Sequence, residues 1–198
     1  MRCLMKTLDY YESNAKEYFK KTVNVNFAET RAAFLDNLED GAYILDFGCG
    51  SGRDAKAFKD AGYRVDALDG SAELCRLASD YAKMEVKHMR FTDFHEKETY
   101  DGIWACASLL HLPYDALKEV VGRLCAGLKE NGILYASFKY GNFEGVRDGR
   151  YYTDFNEEKT ERLLREVPGL QLEKQWVSMD ALPGRDGVRW MNFLGRKR

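Results

Sequence analysis

Tyr43-Ile44-Leu45-Asp46-Phe47-Gly48-Cys49-Gly50-Ser51-Gly52 runs from a short apolar stretch into three alternating glycines, and residues 54–61 beyond it carry Ala55, Phe58 and Ala61 at helical spacing. Strand, glycine turn and helix in that order predict the start of a parallel α/β sheet. Its first turn would bring backbone amides and the positive end of a helix close to a ligand. Glycine suits such a turn because a Cβ would obstruct the approach. Counting from Gly48, the third glycine of G-x-G-x-x-G falls on Arg53, and no G-K-[ST] follows. Neither a nicotinamide or flavin fingerprint nor a mononucleotide P-loop therefore fits.

Outward from the turn, Gly62 closes the helix and residues 63–68 read as a second strand that ends at Asp69. An acidic side chain at that edge, beside the glycines, can accept both hydroxyls of a ribose; alone it would be a solvated turn carboxylate. Ser71 can cap a helix whose apolar face is Leu74, Leu77, Ala78 and Tyr81. A weaker third strand is expected at 86–91 and a buried fourth at 102–107. Pro113 suits the first turn of a helix carrying Leu117, Val120, Val121, Leu124 and Leu128, with its stop at Asn131-Gly132 and a fifth strand at 133–138. A glycine-rich, aromatic segment, 139–155, breaks the rhythm. A helix at 156–167 and strands at 170–177 and 188–194 follow, and two late strands without a helix between them form a hairpin, so one runs antiparallel. Residues 10–21 and 27–38 look helical.

At 198 residues with 45% apolar and 13% aromatic content, one domain is expected, 1–198, with 1–40 as an N-terminal helical lid. A formal charge of -2 gives no push toward nucleic acid or anionic membrane. No apolar run approaches the roughly 20 residues of a membrane helix and no signal-peptide stretch opens the chain, so a cytoplasmic location without membrane contact is expected. Cys3, Cys49, Cys75, Cys106 and Cys125 include no C-x-x-C pair, which favours reduced buried thiols over disulfides or a metal site.

With Asp46 to Gly52 matching [D/E]-x-G-x-G-x-G, the chain resembles the class I S-adenosylmethionine-dependent methyltransferases from about residue 10 to 197. The resemblance implies a three-layer Rossmann-like sandwich on a seven-stranded, mostly parallel sheet of order 3-2-1-4-5-7-6 with strand seven antiparallel. It also implies S-adenosylmethionine as cofactor and S-adenosylhomocysteine as product. Cofactor contacts would then come from Asp46, Gly48, Cys49, Gly50 and Gly52 in the turn, and from Asp69, Gly70 and Ser71 at the ribose. Thr92, Asp93 and Phe94 would form the adenine loop, with Asp93 accepting from the exocyclic amine and Phe94 flanking the ring. Ala105 and Cys106 would offer carbonyls near the amino acid end, and Arg53 would pair with its carboxylate. Without the resemblance, Asp93 reads as a helix or turn cap and Arg53 as a surface residue.

Closer resemblance is to small bacterial tellurite-resistance-related (TehB-like) methyltransferases, carried by residues 104–113, 137–139, 150–153 and 187–192. Neither the [D/N/S]-P-P-[Y/F/W] motif of nucleobase amino-methylating enzymes nor a Pro-Cys nucleophile is present, since the three prolines are Pro113, Pro168 and Pro183. Direct displacement onto a small-molecule acceptor is the expected reaction. A tRNA-modifying methyltransferase, suggested by Arg150-Tyr151-Tyr152, and a non-catalytic module that binds the methyl donor are the alternatives. Tyr11 and Tyr18, one helical face apart, are candidates to meet a sulfonium or simply to pack the lid. His111 is the candidate general base or else a structural loop residue. Loop position adds Lys139, Tyr140, Arg147, Tyr151, Tyr152, Arg189 and Trp190 as acceptor contacts, with Arg147 and Arg189 suited to an anion.

Overall fold

The computed structural model describes the backbone of residues 2–198 and the side chains of residues 6–198. Cys3 lies outside the described side chains; Cys49, Cys75 and Cys125 are buried free thiols and Cys106 is a half-buried one. In chain order the elements are α1 (Arg2–Thr22), α2 (Ala28–Leu35), β1 (Tyr43–Phe47), α3 (Arg53–Asp60), β2 (Arg64–Asp69), α4 (Ala72–Ala82), β3 (Val86–His88) and β4 (Tyr100–Ala105). They continue with α5 (Tyr114–Gly127), β5 (Leu128–Lys139), β6 (Glu144–Arg147), β7 (Arg150–Thr153), α6 (Glu157–Glu166), β8 (Leu170–Met179) and β9 (Arg189–Lys197).

Seven strands form one sheet in the order β3-β2-β1-β4-β5-β9-β8. Pairing is parallel from β3 to β5 and antiparallel at β5–β9 and β9–β8. This is the expected order, with the two late strands numbered eight and nine because β6 and β7 stand apart. The central strands are apolar on both sides, as a sheet covered on both faces requires. Leu45, Ile103, Leu134 and Phe193 point to the face covered by α5 and α6, and the alternate residues Ile44, Trp104, Tyr135 and Leu194 point to the other. Phe34 of α2 is buried on that second face against Phe58 and Trp104, so α2 belongs to a layer of the sandwich. Helix α1 reaches across the carboxyl edge of the sheet, where it packs on α4 and β7. Among the described residues no helix is long and apolar enough to cross a membrane.

Several boundaries differ from the sequence reading. The helix expected to stop at Asn131-Gly132 ends at Gly127, because Leu128 already pairs with Tyr100 in the sheet and Asn131 sits in an irregular stretch of β5 at φ 62°. The third strand is only Val86–His88, and Phe91–Asp93 forms a short 3-10 turn. The aromatic segment 139–155 holds the β6–β7 hairpin, turned by Asp148-Gly149 with both residues at positive φ (51° and 76°). Asp-Gly is the pair that a two-residue hairpin turn of this kind favours.

Candidate active site

The carboxyl ends of β1, β2, β4 and β5 bring the glycine turn, Asp69, residues 106–108 and Lys139 to one edge of the sheet. That edge is where α/β folds of this kind hold ligands. The amides of Gly48 and Cys49 both donate to the carbonyl of Leu68, at 2.9 and 3.0 Å. Gly48 sits at φ +81°, and a Cβ there would lie 2.5 Å from Cβ of Ser108 and 2.8 Å from the Phe91 ring. At Gly50 a Cβ would come within 3.0 Å of the Tyr18 ring, so α1 closes directly over the turn. Gly52 serves packing instead: it faces Ala78 of α4 and lines neither cavity described below.

Two adjoining cavities open at this edge. One, of about 400 Å³, is mostly apolar and is bounded by Gly50, Asp69, Leu74, Phe91, Thr92 and Leu112. The other, of about 260 Å³, is the more polar of the two, its wall about equally polar and apolar, and includes Asp46, Cys49, Arg53, Lys139, Tyr152 and Trp190. Tyr11, Tyr18, Gly48, Ala107 and His111 line both. In the apolar cavity the Asp69 carboxylate is fixed by two backbone amides, Gly50 N–H on Oδ2 and Ser71 N–H on Oδ1, each at 2.9 Å. Burial pushes its carboxyl above the ordinary carboxylate range, and the Ser71, Gly50 and Gly70 amides pull against that. Each oxygen keeps acceptor capacity for a further donor.

Asp46 is buried at the base of the polar cavity, and its Oδ2 has no hydrogen-bond partner. Burial, followed by the charge of Asp54, raises its carboxyl well above the ordinary range. Arg53 does not project into the cavity as a free cation. It forks onto Asp54 (3.0 and 2.6 Å) and lies 3.9 Å over the Phe27 ring, while Arg31 and the Trp104 indole also donate to Asp54. That carboxylate is shared so fully that Arg53 is a scaffold for the turn.

Where the cavities meet, the Tyr11 hydroxyl and His111 Nε2 lie 2.7 Å apart, and His111 Nδ1 lies 2.7 Å from the carbonyl of Tyr151. A carbonyl only accepts, so Nδ1 carries the hydrogen and Tyr11 donates to Nε2. Burial lowers the His111 pKa to about 4; the Tyr151 carbonyl opposes this, and Arg150 and Lys139 add to it. The imidazole is therefore neutral. Tyr18 meets Tyr11 edge to face at 5.2 Å, and burial raises both phenols above their ordinary value.

The remaining expected contacts divide by strand alternation. Lys139, Tyr152 and Trp190 face the polar cavity, whereas their neighbours Tyr140, Tyr151 and Arg189 face away. Tyr140 bonds Glu157 and lies under Arg189, and the Tyr151 hydroxyl bonds Glu144 on the outer side. Arg147 is held by Asp154 at 2.8 and 3.0 Å and is not in the cavity wall. Phe94 is in the core against Phe47 and Tyr100, so the ring on the cavity wall is Phe91. Thr92 lines the cavity. Asp93 is exposed and accepts from Thr92, and Ala105 is fully buried below the edge, which leaves Cys106 and Ala107 to line it. Burial raises the Cys106 thiol to about 12. The Cys49 thiol is also raised, by burial and then by Asp46. Gly70 lies under Leu8, and Ser71 caps α4 while donating to Glu12 of α1. Sequence reading missed Arg150, Asp180 and Arg185, all in the polar wall. The Asp148-Gly149 turn was the signal that aims Arg150 and Tyr152 to one side.

Residues 44–132 match the family model of the methyltransferase domain. An uncharacterized protein of Methanocaldococcus jannaschii is 30% identical over 112 residues, covering 52% of this chain and 30% of that protein. An uncharacterized methyltransferase of Staphylococcus carnosus is 24% identical over 139 residues, 66% of each chain. The chain thus spans less than two thirds of the length of these relatives. The crystal structure of a 1,6-didemethyltoxoflavin-N1-methyltransferase from Burkholderia thailandensis, with 1,6-didemethyltoxoflavin and S-adenosylhomocysteine bound, has the same fold. Its TM-score is 0.78 at 21% identity, over 98% of this chain and 87% of that one. Residues 44–132, which carry the glycine turn, Asp69 and His111, are therefore the part of the chain that is similar to a methyltransferase domain.

Proposed function

We propose that this chain is an S-adenosylmethionine-dependent methyltransferase that methylates a small-molecule acceptor by direct displacement. The observation that carries this reading is the pair of unlike cavities meeting at Tyr11, Tyr18, Gly48, Ala107 and His111, beside the segment 44–132 that matches the methyltransferase domain. The cofactor fits the first: Asp69 can accept from a ribose diol, Phe91 offers a flat face to a base, and the bare glycine turn leaves room at the junction. The unpartnered Asp46 Oδ2 waits for a donor at the amino acid end, a role an ammonium fills. Bound there, S-adenosylmethionine supplies a methyl group activated by a positive sulfur and leaves as S-adenosylhomocysteine.

The chain's own residues align the acceptor and exclude water. Tyr11 and Tyr18 present aromatic groups that favour a cation beside them. A proton released by the acceptor reaches His111 through the Tyr11 hydroxyl, because that hydroxyl already occupies Nε2. His111, kept neutral by burial, has the free capacity to take that proton. The second cavity, about 260 Å³, suits a small molecule, and a net charge of -2 gives a nucleic acid no general attraction. The stretches at 104–113 and 187–192 favour the small tellurite-resistance-related type.

Calorimetric titration with S-adenosylmethionine, S-adenosylhomocysteine and NAD tests the cofactor: heat from the first two and none from NAD is expected, and the reverse would end the reading. Incubation with labelled donor and separated metabolite, RNA and protein fractions tests the acceptor. A gain of about 14 Da on a metabolite is expected.

A further inference from the structure

We propose that the acceptor carries an anionic oxygen group, a carboxylate or a phosphate, held between Lys139 and Arg150. This rests on the methyltransferase reading above and names its substrate class. Three cations surround the buried ring of Tyr152: Lys139 Nζ lies 4.7 Å from its centroid, the Arg147 guanidinium 4.8 Å and the Arg150 guanidinium 5.3 Å. Asp154 forms an ion pair with Arg147 and also acts, without a direct contact, on Lys139.

The charges in the wall of the polar cavity otherwise cancel in pairs. Glu17 bonds Lys21, Arg53 bonds Asp54, and Arg185 bonds Asp180. Asp46 is buried with its carboxyl raised toward the neutral form. Asp148, at the hairpin tip, is exposed and forms no ion pair among the described residues. Lys139 and Arg150 have no ion-pair partner among the described residues, and both act on His111 at the junction with the first cavity.

Arg150 also shows an unmet hydrogen-bonding need. Its Nε is buried without an acceptor, and its best oxygen contact is Nη1 to the Tyr11 hydroxyl at a long 3.5 Å. Its guanidinium lies 4.5 Å over the Tyr10 ring and 5.9 Å from the Tyr11 centroid, in the wall of the polar cavity. Aromatic and cationic walls together recognise an anion on a flat body. The Arg147 and Arg189 pair expected from loop position does not serve, since one is bound to Asp154 and the other lies outside the wall.

The test separates a metabolite extract by anion exchange at neutral pH and assays both fractions with labelled S-adenosylmethionine. Methyl acceptance is expected in the retained fraction, and phosphatase treatment distinguishes a phosphate, which loses acceptance, from a carboxylate, which keeps it. Lys139→Gln and Arg150→Gln should each raise KM for that fraction about tenfold, as loss of one charge-assisted bond does, and Arg150→Lys should recover part. S-adenosylhomocysteine affinity should stay within about twofold in every variant. Acceptance confined to the unretained fraction, unchanged KM, or lost S-adenosylhomocysteine affinity in the variants would overturn the proposal; the last would assign the cations to the cofactor's own carboxylate. Absence of S-adenosylhomocysteine binding by the unaltered protein would instead remove the methyltransferase reading beneath it.

Discussion

The Tyr11 hydroxyl donates to Nε2 of His111 across 2.7 Å, joining the helix that covers the site to the loop after β4. Because Nδ1 is committed to the Tyr151 carbonyl, this one bond fixes the tautomer and ties α1, the β4 loop and β7 into one unit.

Burial of this imidazole makes stability depend on pH. The folded His111 pKa is about 4 against an ordinary 6.5, so between these values the unfolded chain takes up a proton that the folded chain refuses. The stabilisation is present above about pH 6.5 and is lost as pH falls toward 4; integrated over that window it is on the order of 3 kcal/mol. Urea denaturation at pH 7.5, 5.5 and 4.5 should show the loss, and His111→Asn should reduce it. An identical pH slope in the variant would count against a buried neutral imidazole.

Phe91 and Phe94 should separate binding from stability. Phe91 lines the apolar cavity and Phe94 fills the core beside Phe47 and Tyr100. Phe94→Ala should cost about 3–5 kcal/mol in denaturant unfolding. Phe91→Ala should cost less and weaken S-adenosylmethionine binding, by about tenfold for loss of a stacking face. Equal affinity loss in both would mean that the loop is remodelled as a whole.

Much of this was readable beforehand. The alternation of apolar strands and helices from Tyr43 onward fixed the layer order, and Asp46 to Gly52 with Asp69 located the edge that holds the cavities. What was not readable followed from pairing between distant residues. Leu128 has a helical neighbour pattern but a sheet partner in Tyr100, and β-sheet contacts override local periodicity. Phe91 and Phe94 are alike as letters, and only the turn at 91–93 decides which ring meets the cavity. For 139–155, treating every polar or aromatic residue as a site candidate ignored the strand period: Tyr151 and Tyr140 point away from the wall that Tyr152 and Lys139 form.

Gly48 and Gly62 offer a matched pair. Both have positive φ, +81° and +93°, but a Cβ on Gly62 meets nothing within 4 Å whereas one on Gly48 meets Ser108 and Phe91. Gly62→Ala should cost about 1–2 kcal/mol of stability, the left-handed penalty, with unchanged cofactor affinity. Gly48→Ala should cost more and abolish measurable S-adenosylmethionine binding, read by calorimetry. Retained binding would show that the turn does not face the ligand.

Asp46 gives the sharpest opposition between stability and binding. Its folded pKa is raised well above the ordinary carboxylate value, chiefly by burial and then by Asp54, so the unfolded chain sheds a proton that the folded chain retains. The resulting penalty is absent at low pH and grows as pH rises above about 4, the ordinary Asp pKa. Asp46→Asn keeps the shape, removes the titration and should raise Tm at pH 7.5 while leaving it nearly unchanged at pH 4. The same substitution replaces the unpartnered Oδ2 acceptor, in one of its two orientations, with an amide donor. Affinity for S-adenosylmethionine, with its ammonium, should fall by about tenfold or more, the size expected for losing a charge-assisted hydrogen bond. A variant at once less stable at pH 7.5 and unchanged in affinity would place the charge of Asp46 in the scaffold and take it out of the ligand's reach.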